Sequence, residues 1–330
     1  MGQLAPCRAM SPLLGRVWLQ CILFLSLTSS SSQVVAFTMG DIFKTAYYKL
    51  EKNVASKSIP LISNKDFLVI TDEADKGRSG KGGKFDHSLW DSLLKECVST
   101  GATFGDVKDS NAVDYASLAA DSSKSERFSQ YLELLAQAKV EDLSHREQLA
   151  LWINAYNALC VSVILQAPDM STMKSITEIK SKEHPVVWDL AAGTVGGVSL
   201  SLNEIEHEKL RNGFGIPDIH ACIVCASARC PDLRREAYTG DRIMEQMREQ
   251  KQRWVQNPTK GCSVVDGKLT LSRIFLWFQE DFGGLEGAKE FCAQNLQNEE
   301  LKVLLKKKEN GLLGDSVRYF EYNWEMNRAP

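Results

Sequence analysis

The sequence predicts an α+β fold: a helix-rich single domain with a small antiparallel sheet. Three observations lead there. Several segments repeat apolar residues at helical spacing behind a capping serine. One of them, from Ser144 to Ile164, is apolar nearly all the way round, as a core helix is. The stretches that alternate instead are short and bounded by glycine or proline, enough for a small sheet only. With 330 residues, 44% of them hydrophobic, and a formal charge of -3, the chain has no basic excess to suggest a nucleic-acid partner.

At the N-terminus, Arg8 and Arg16 precede the apolar run Val17 to Leu27, followed by serines and Val34-Val35-Ala36. This pattern reads as a secretory signal peptide, residues 1–36, cut after Ala36. The run is shorter than the roughly 20 residues that span a bilayer, so no stable membrane anchor is expected once the signal is cleaved. Phe37 and the lysines beyond it resemble the bipartite plastid-targeting presequences of diatoms and related algae; the other reading is a plain secreted protein. Residues 37–84 make up the remainder of the presequence and a glycine-rich linker, Asp75 to Lys84. Gly80-Lys81 there is followed by Gly82 rather than by Ser or Thr, which excludes a phosphate-binding loop.

From Phe85, Leu89, Trp90, Leu93 and Leu94 define a helix running to Cys97. Ser123 and Glu126 can form a capping box for the next, with Phe128, Tyr131, Leu132 and Leu135 inward. Ser144 and Glu147 can cap the core helix. That helix carries Asn154 and Asn157, whose amides either hydrogen-bond neighbouring loops or orient a catalytic group or substrate. A strand is expected near Val186 to Leu190, then a glycine turn into Val198 to Leu200. Ser201 and Glu204 can cap a helix bearing Glu206, His207 and Arg211, ended by Asn212-Gly213. Beyond Pro231, a helix is expected from Arg242 to Val255, a strand from Lys268 to Leu271, an apolar helix at Ile274 to Phe278, and mostly helix from Glu286 to Leu305. The lysines 306–308 suit a helix C-terminus.

The segment Ile219 to Leu233, I-H-A-C-I-V-C-A-S-A-R-C-P-D-L, concentrates the reactive side chains. Ile219, Ala221 and Ile223 alternate with His220, Cys222 and Val224, which predicts a short strand that Pro231-Asp232 ends. Cys225 and Cys230 admit three readings: a nucleophile at Cys225, a disulfide, or zinc ligands together with Cys222 and a histidine. A redox motif at Cys222 and Cys225 is disfavoured, because an offset of three on a strand points the side chains to opposite faces. Removing the signal leaves an odd number of cysteines, which fits a reactive thiol without requiring one.

Several blocks together resemble domain-of-unknown-function family 547: Phe85-Asp86-His87-Ser88-Leu89, Val113-Asp114-Tyr115, Leu149 to Ala158, Ser201 to His207, the cysteine segment, and Tyr322 to Asn327. The resemblance covers residues 85–330 and implies a domain boundary and a site, not a reaction. In the cysteine segment, Ala221 stands where the family has an aromatic residue and Cys222 where it has alanine. The function expected is a thiol-dependent hydrolase or transferase acting on amide or ester bonds. Cys225 would be the nucleophile, His207 the general base, and Glu206 or Asn157 its orienting partner; Arg211 and Asn154 would bind substrate. A papain-like arrangement would have to be permuted, since the histidine precedes the cysteine. The alternative is a noncatalytic binding or scaffold domain with a structural disulfide, or a zinc-binding domain. No cofactor is expected, and the partner is unknown.

Overall fold

The computed structural model describes residues 82–306 and 317–330. The expected signal peptide, the expected presequence and nearly all of the expected linker lie outside the described residues, as do Lys307 and Lys308. The architecture is helix-rich α+β, with its strands in three separate small sheets.

Helix α1, Ser88–Cys97, runs directly into β1, Val98–Phe104, which pairs antiparallel with β2, Val107–Val113. Helices α2, Tyr115–Ala120, and α3, Ser122–Ala136, come next. The cap of α3 is Asp121 rather than Ser123: its carboxylate accepts from the backbone N–H of Ser123 and Lys124 at 2.9 and 3.1 Å. A carboxylate at the dipole's positive end caps at least as well as a hydroxyl.

Helix α4, His145–Leu165, is the axis of the core. Ser144 Oγ accepts from the Glu147 N–H, the near half of the expected capping box. By length and composition α4 could cross a membrane, yet 89% of its most apolar window is buried inside the fold. Strands β3, Ala191–Val195, and β4, Val198–Ser201, form a hairpin laid against it. Gly193 permits that approach, because a Cβ there would meet Leu159 Cδ2 at 2.4 Å. Gly196 and Gly197 supply the positive φ that a two-residue turn requires. The strand expected at Val186 to Leu190 begins later, since Val187–Asp189 is a 3₁₀ turn.

The capping box of Ser201 and Glu204 is present: Glu204 N–H donates to Ser201 Oγ at 3.1 Å, and Ser201 N–H to Glu204 Oε2 at 2.7 Å. The helix it starts is not a plain α-helix. Leu202–Glu204 is α, Ile205–Arg211 widens to π, and Asn212–Phe214 returns to α, ended by Gly215 at φ 64°. After the cysteine segment come α5, Ile243–Gln256, the hairpin β5, Cys262–Val265, and β6, Lys268–Leu271, then α6, Arg273–Trp277, α7, Gly284–Asn295, and α8, Glu299–Lys306. Strand β7, Val317–Tyr319, joins β6 in parallel.

The remaining residues form a strap across the body. Val113 N–H donates to Asn327 O at 2.8 Å, and Ala329 N–H returns to Val113 O at 2.9 Å. Met326 N–H reaches Lys174 O at 2.8 Å, and Tyr115 Oη donates to Asn327 Oδ1 at 2.8 Å.

Candidate functional site: a thiol loop held by Asn157

The cysteine segment is not a strand and belongs to none of the sheets. Pro217–Ala221 is a 3₁₀ turn with Pro217 at its start, and Cys222 and Ile223 bond back to Ile219 O. All six residues from Ile219 to Val224 are buried, so neither of the two alternating faces is a solvent face.

Asn157 positions the end of this turn. Its Nδ2 donates to Cys222 O and its Oδ1 accepts from Val224 N–H, both at 2.9 Å. One turn earlier Asn154 does the same with the backbone of Tyr238, at 2.7 and 3.0 Å. Each amide satisfies one donor and one acceptor of a buried loop, so both asparagines position backbone.

Cys225 leaves this clamp. Its backbone N–H donates to Cys230 Sγ at 3.3 Å, and its own sulfur lies 3.4 Å from Ser227 Oγ and 3.3 Å from Tyr322 Oη. Ala226, next in the chain, is buried in the left-handed region at φ 59°, where a side chain costs about 1–2 kcal/mol. The strap holds it there: Asn327 N–H donates to Ala226 O at 2.9 Å, and Ala228 N–H to Glu325 O at 2.7 Å. On the far side Asp232 anchors the loop, bonded to Lys260, to Arg253 at 2.8 Å and to the Asn111 N–H at 3.0 Å. Against the cost of burial, these donors hold its carboxyl below the usual carboxylate range.

Hydrogen bonding from the Cys230 thiol, joined by the Ser227 and Tyr322 hydroxyls and the Ser227 N–H, outweighs burial and draws the Cys225 thiol down to about 6. Burial pushes Cys97, Cys160, Cys230 and Cys292 up, and Cys222 up to about 12. Cys225 is half-buried, whereas those five are buried. Both Cys225 and Cys230 are free thiols. The zinc set does not assemble: Cys222 Sγ turns to Asp218 O at 3.4 Å, and among the described residues no three His, Cys, Asp or Glu side chains are grouped to hold a metal ion.

The expected thiol–imidazole pair is not formed among the described residues. His207 Nδ1 lies 2.8 Å from Arg211 Nη1. A guanidinium can only donate, so it takes the Nδ1 lone pair and leaves the proton of the neutral ring on Nε2, with no free lone pair to accept a proton from a thiol. Arg211 is itself engaged: Nε and Nη2 grip Asp281 at 2.6 Å each, and the guanidinium lies over Phe278. It is therefore no open anion clamp. His220 Nε2 meets the same carboxylate at 2.7 Å, with its ring stacked 4.0 Å from Phe278. Against burial, Arg211 and His220 hold the Asp281 carboxyl far below the usual range. Glu206 is buried in the π turn and shares the surroundings of the Tyr156 phenol with Cys225.

Residues 140–255 match the profile of a family described as "Protein of unknown function, DUF547". Over this segment the chain is similar to the DUF547 family. The segment contains α4 with both asparagines, the π turn and the whole thiol loop, and leaves Asp281 and Tyr322 outside. No curated protein and no solved structure matches the chain. Sequence reasoning does not single out Ser227, Asp281 or Tyr322; the one signal is at Tyr322, which opens the closing block Tyr322 to Asn327.

Proposed function

We propose that the protein is a thiol-dependent hydrolase or transferase acting on amide or ester bonds, with Cys225 as its nucleophile. One observation carries the reading: among the described thiols with a displaced pKa, Cys225 alone is drawn down, and it is the half-buried one. A thiol at about 6 is largely thiolate near neutral pH, so it needs no imidazole to take its proton. The thiolate would attack the carbonyl carbon, and the bond to the leaving oxygen or nitrogen would break as that atom takes a proton from solvent. The resulting thioester would pass its acyl group to water or a second nucleophile, returning the thiolate. Asn157 and Asn154 act as positioning residues. With the signal peptide, this reading puts the enzyme in the secretory route, secreted or delivered to a plastid.

The test is alkylation of the native protein with iodoacetamide across roughly pH 5 to 9, with the labelled cysteine mapped by mass spectrometry. Cys225 is expected to label selectively with a midpoint near pH 6. Labelling that rises only near the ordinary thiol pKa of about 8.5 would remove the nucleophile. A screen of ester and amide substrates comes next, with Cys225→Ser as control. The second reading, a binding domain with Cys225 and Cys230 bridged, draws on the 3.3 Å contact between the two residues. It predicts no labelling at either cysteine until reductant is added.

A further inference from the structure

We propose that Trp188, Trp277, Trp324 and Tyr322 form a stacking shelf that binds a planar aromatic group of the substrate beside Cys225. The proposal rests on the reading of Cys225 as nucleophile and names the chemistry on which that nucleophile acts. The four rings come from distant parts of the chain: Trp188 from the 3₁₀ turn Val187–Asp189, Trp277 from the end of α6, and the other two from the strap. Tyr322 meets Trp324 at 4.5 Å and Trp277 at 4.7 Å between ring centroids. Trp324 in turn meets Trp188 at 5.7 Å and Trp277 at 5.8 Å, the latter pair only 25° from parallel.

Exposure argues that the shelf serves something outside the core. The chain buries Trp90 and Trp254 to 1% exposure, yet leaves Trp188, Trp277 and Trp324, linked through Trp324 at the edge of the core, each half-buried. Grouped apolar rings left partly in water mark a binding surface more than a core does. Position argues that the substrate is what it serves, because the Tyr322 hydroxyl at one end of the row is 3.3 Å from the Cys225 sulfur.

Geometry narrows the ligand. An aromatic cage for a quaternary ammonium holds its rings apart around the cation. Here centroids 4.5 to 5.8 Å apart leave no such space, so a ligand lies on the row rather than within it. A sugar would need hydrogen-bonding side chains at the ring edges. Of the polar neighbours in sequence, Asp189 is spent on Asn203 at 2.6 Å and Asn323 on Glu325 N–H at 2.9 Å and Phe104 O at 3.3 Å, while the Glu325 carboxylate lies beside Gly105. Ring stacking is left, which adds up to about tenfold in affinity for each well-placed pair.

The experiment compares two alkylating reagents with the same electrophile, iodoacetamide and its N-phenyl form, iodoacetanilide, on the full protein and on N-acetylcysteine. The ratio of iodoacetanilide to iodoacetamide rates is expected to be about tenfold higher at Cys225 than at the small thiol. Trp188→Ala, or Trp188→Leu if the first does not fold, should lower that ratio toward the small-thiol value. An equal ratio in the native protein, or a raised ratio that the Trp188 variant keeps, overturns the shelf. A second measurement separates the two readings: saturation transfer to the unreactive analogue acetanilide in Cys225→Ser. Transfer that Trp188→Ala abolishes supports the shelf even if Cys225 proves unreactive, and no transfer overturns the shelf even if Cys225 labels at low pH.

Discussion

Tyr322 brings to the Cys225 sulfur a hydroxyl that keeps its proton, because burial, together with the nearby Cys225 charge, pushes the phenol well above its ordinary value. It therefore donates to the thiolate throughout the neutral range. Tyr322→Phe is expected to move the Cys225 labelling midpoint up by about one pH unit, since a hydrogen bond to a charged group contributes about 1.5–3 kcal/mol. His207→Ala should leave the midpoint in place, because that ring faces Arg211; a shift there would restore the imidazole to the mechanism. His87 makes a separate residue-scale prediction. Burial draws it from 6.5 to about 4, with Nδ1 bonded to Tyr131 Oη at 2.8 Å and a buried Nε2 lacking a partner. The fold favours the neutral ring, so the stability it contributes is full above the unfolded pKa of 6.5 and is lost as pH falls through about 4. The loss should be on the order of 3 kcal/mol. Thermal unfolding of His87→Gln at pH 4.5 and 7.5 should lack that part of the acid sensitivity.

At the scale of elements, α4 carries two amide clamps, and their loss should be separable. Asn157→Ala leaves Cys222 O and Val224 N–H buried without their partner, which should cost about 3 kcal/mol in denaturant unfolding. Asn154→Ala should cost a similar amount at Tyr238. Only the first should also shift Cys225 labelling; equal shifts in both would mean that the clamp acts on the whole fold instead. Helices α1, α4 and α5 are legible in the sequence because their apolar stripes have a water-facing complement or, in α4, none at all. The segment from Ile219 reads as a strand for a related reason: with every side chain buried, alternation of residue types no longer reports a face. The π turn reads as α because its longer period shows only in the folded chain, where Leu210 is buried five positions after Ile205 while Glu208 between them is exposed. Cys225 is legible as a candidate nucleophile, but its partner Tyr322 lies 97 positions away, and Asp281 lies 61 from His220. Only the folded chain brings such pairs together.

Taken as a whole, the molecule has no continuous sheet among its described residues on which to hang its site. The strap takes that role, bonding to Val113, Lys174, Ala226 and Ala228 in turn. A chain ended after Phe320 is expected to melt at lower temperature and to label at Cys225 with a midpoint near that of an ordinary thiol. A truncated chain that keeps the midpoint near pH 6 would show that the loop is organised without the strap.

The same strap sets an order in time. Residues 322–329 leave the ribosome after the thiol loop they complete, and contacts of such long sequence separation form late in folding. Until they dock, Cys225 has no Tyr322 hydroxyl and Ala226 has no Asn327 to hold its left-handed turn. In the growing chain Cys225 therefore lacks part of the hydrogen bonding that draws its thiol down, and on the proposed reading the full nucleophile comes into being only with the finished fold.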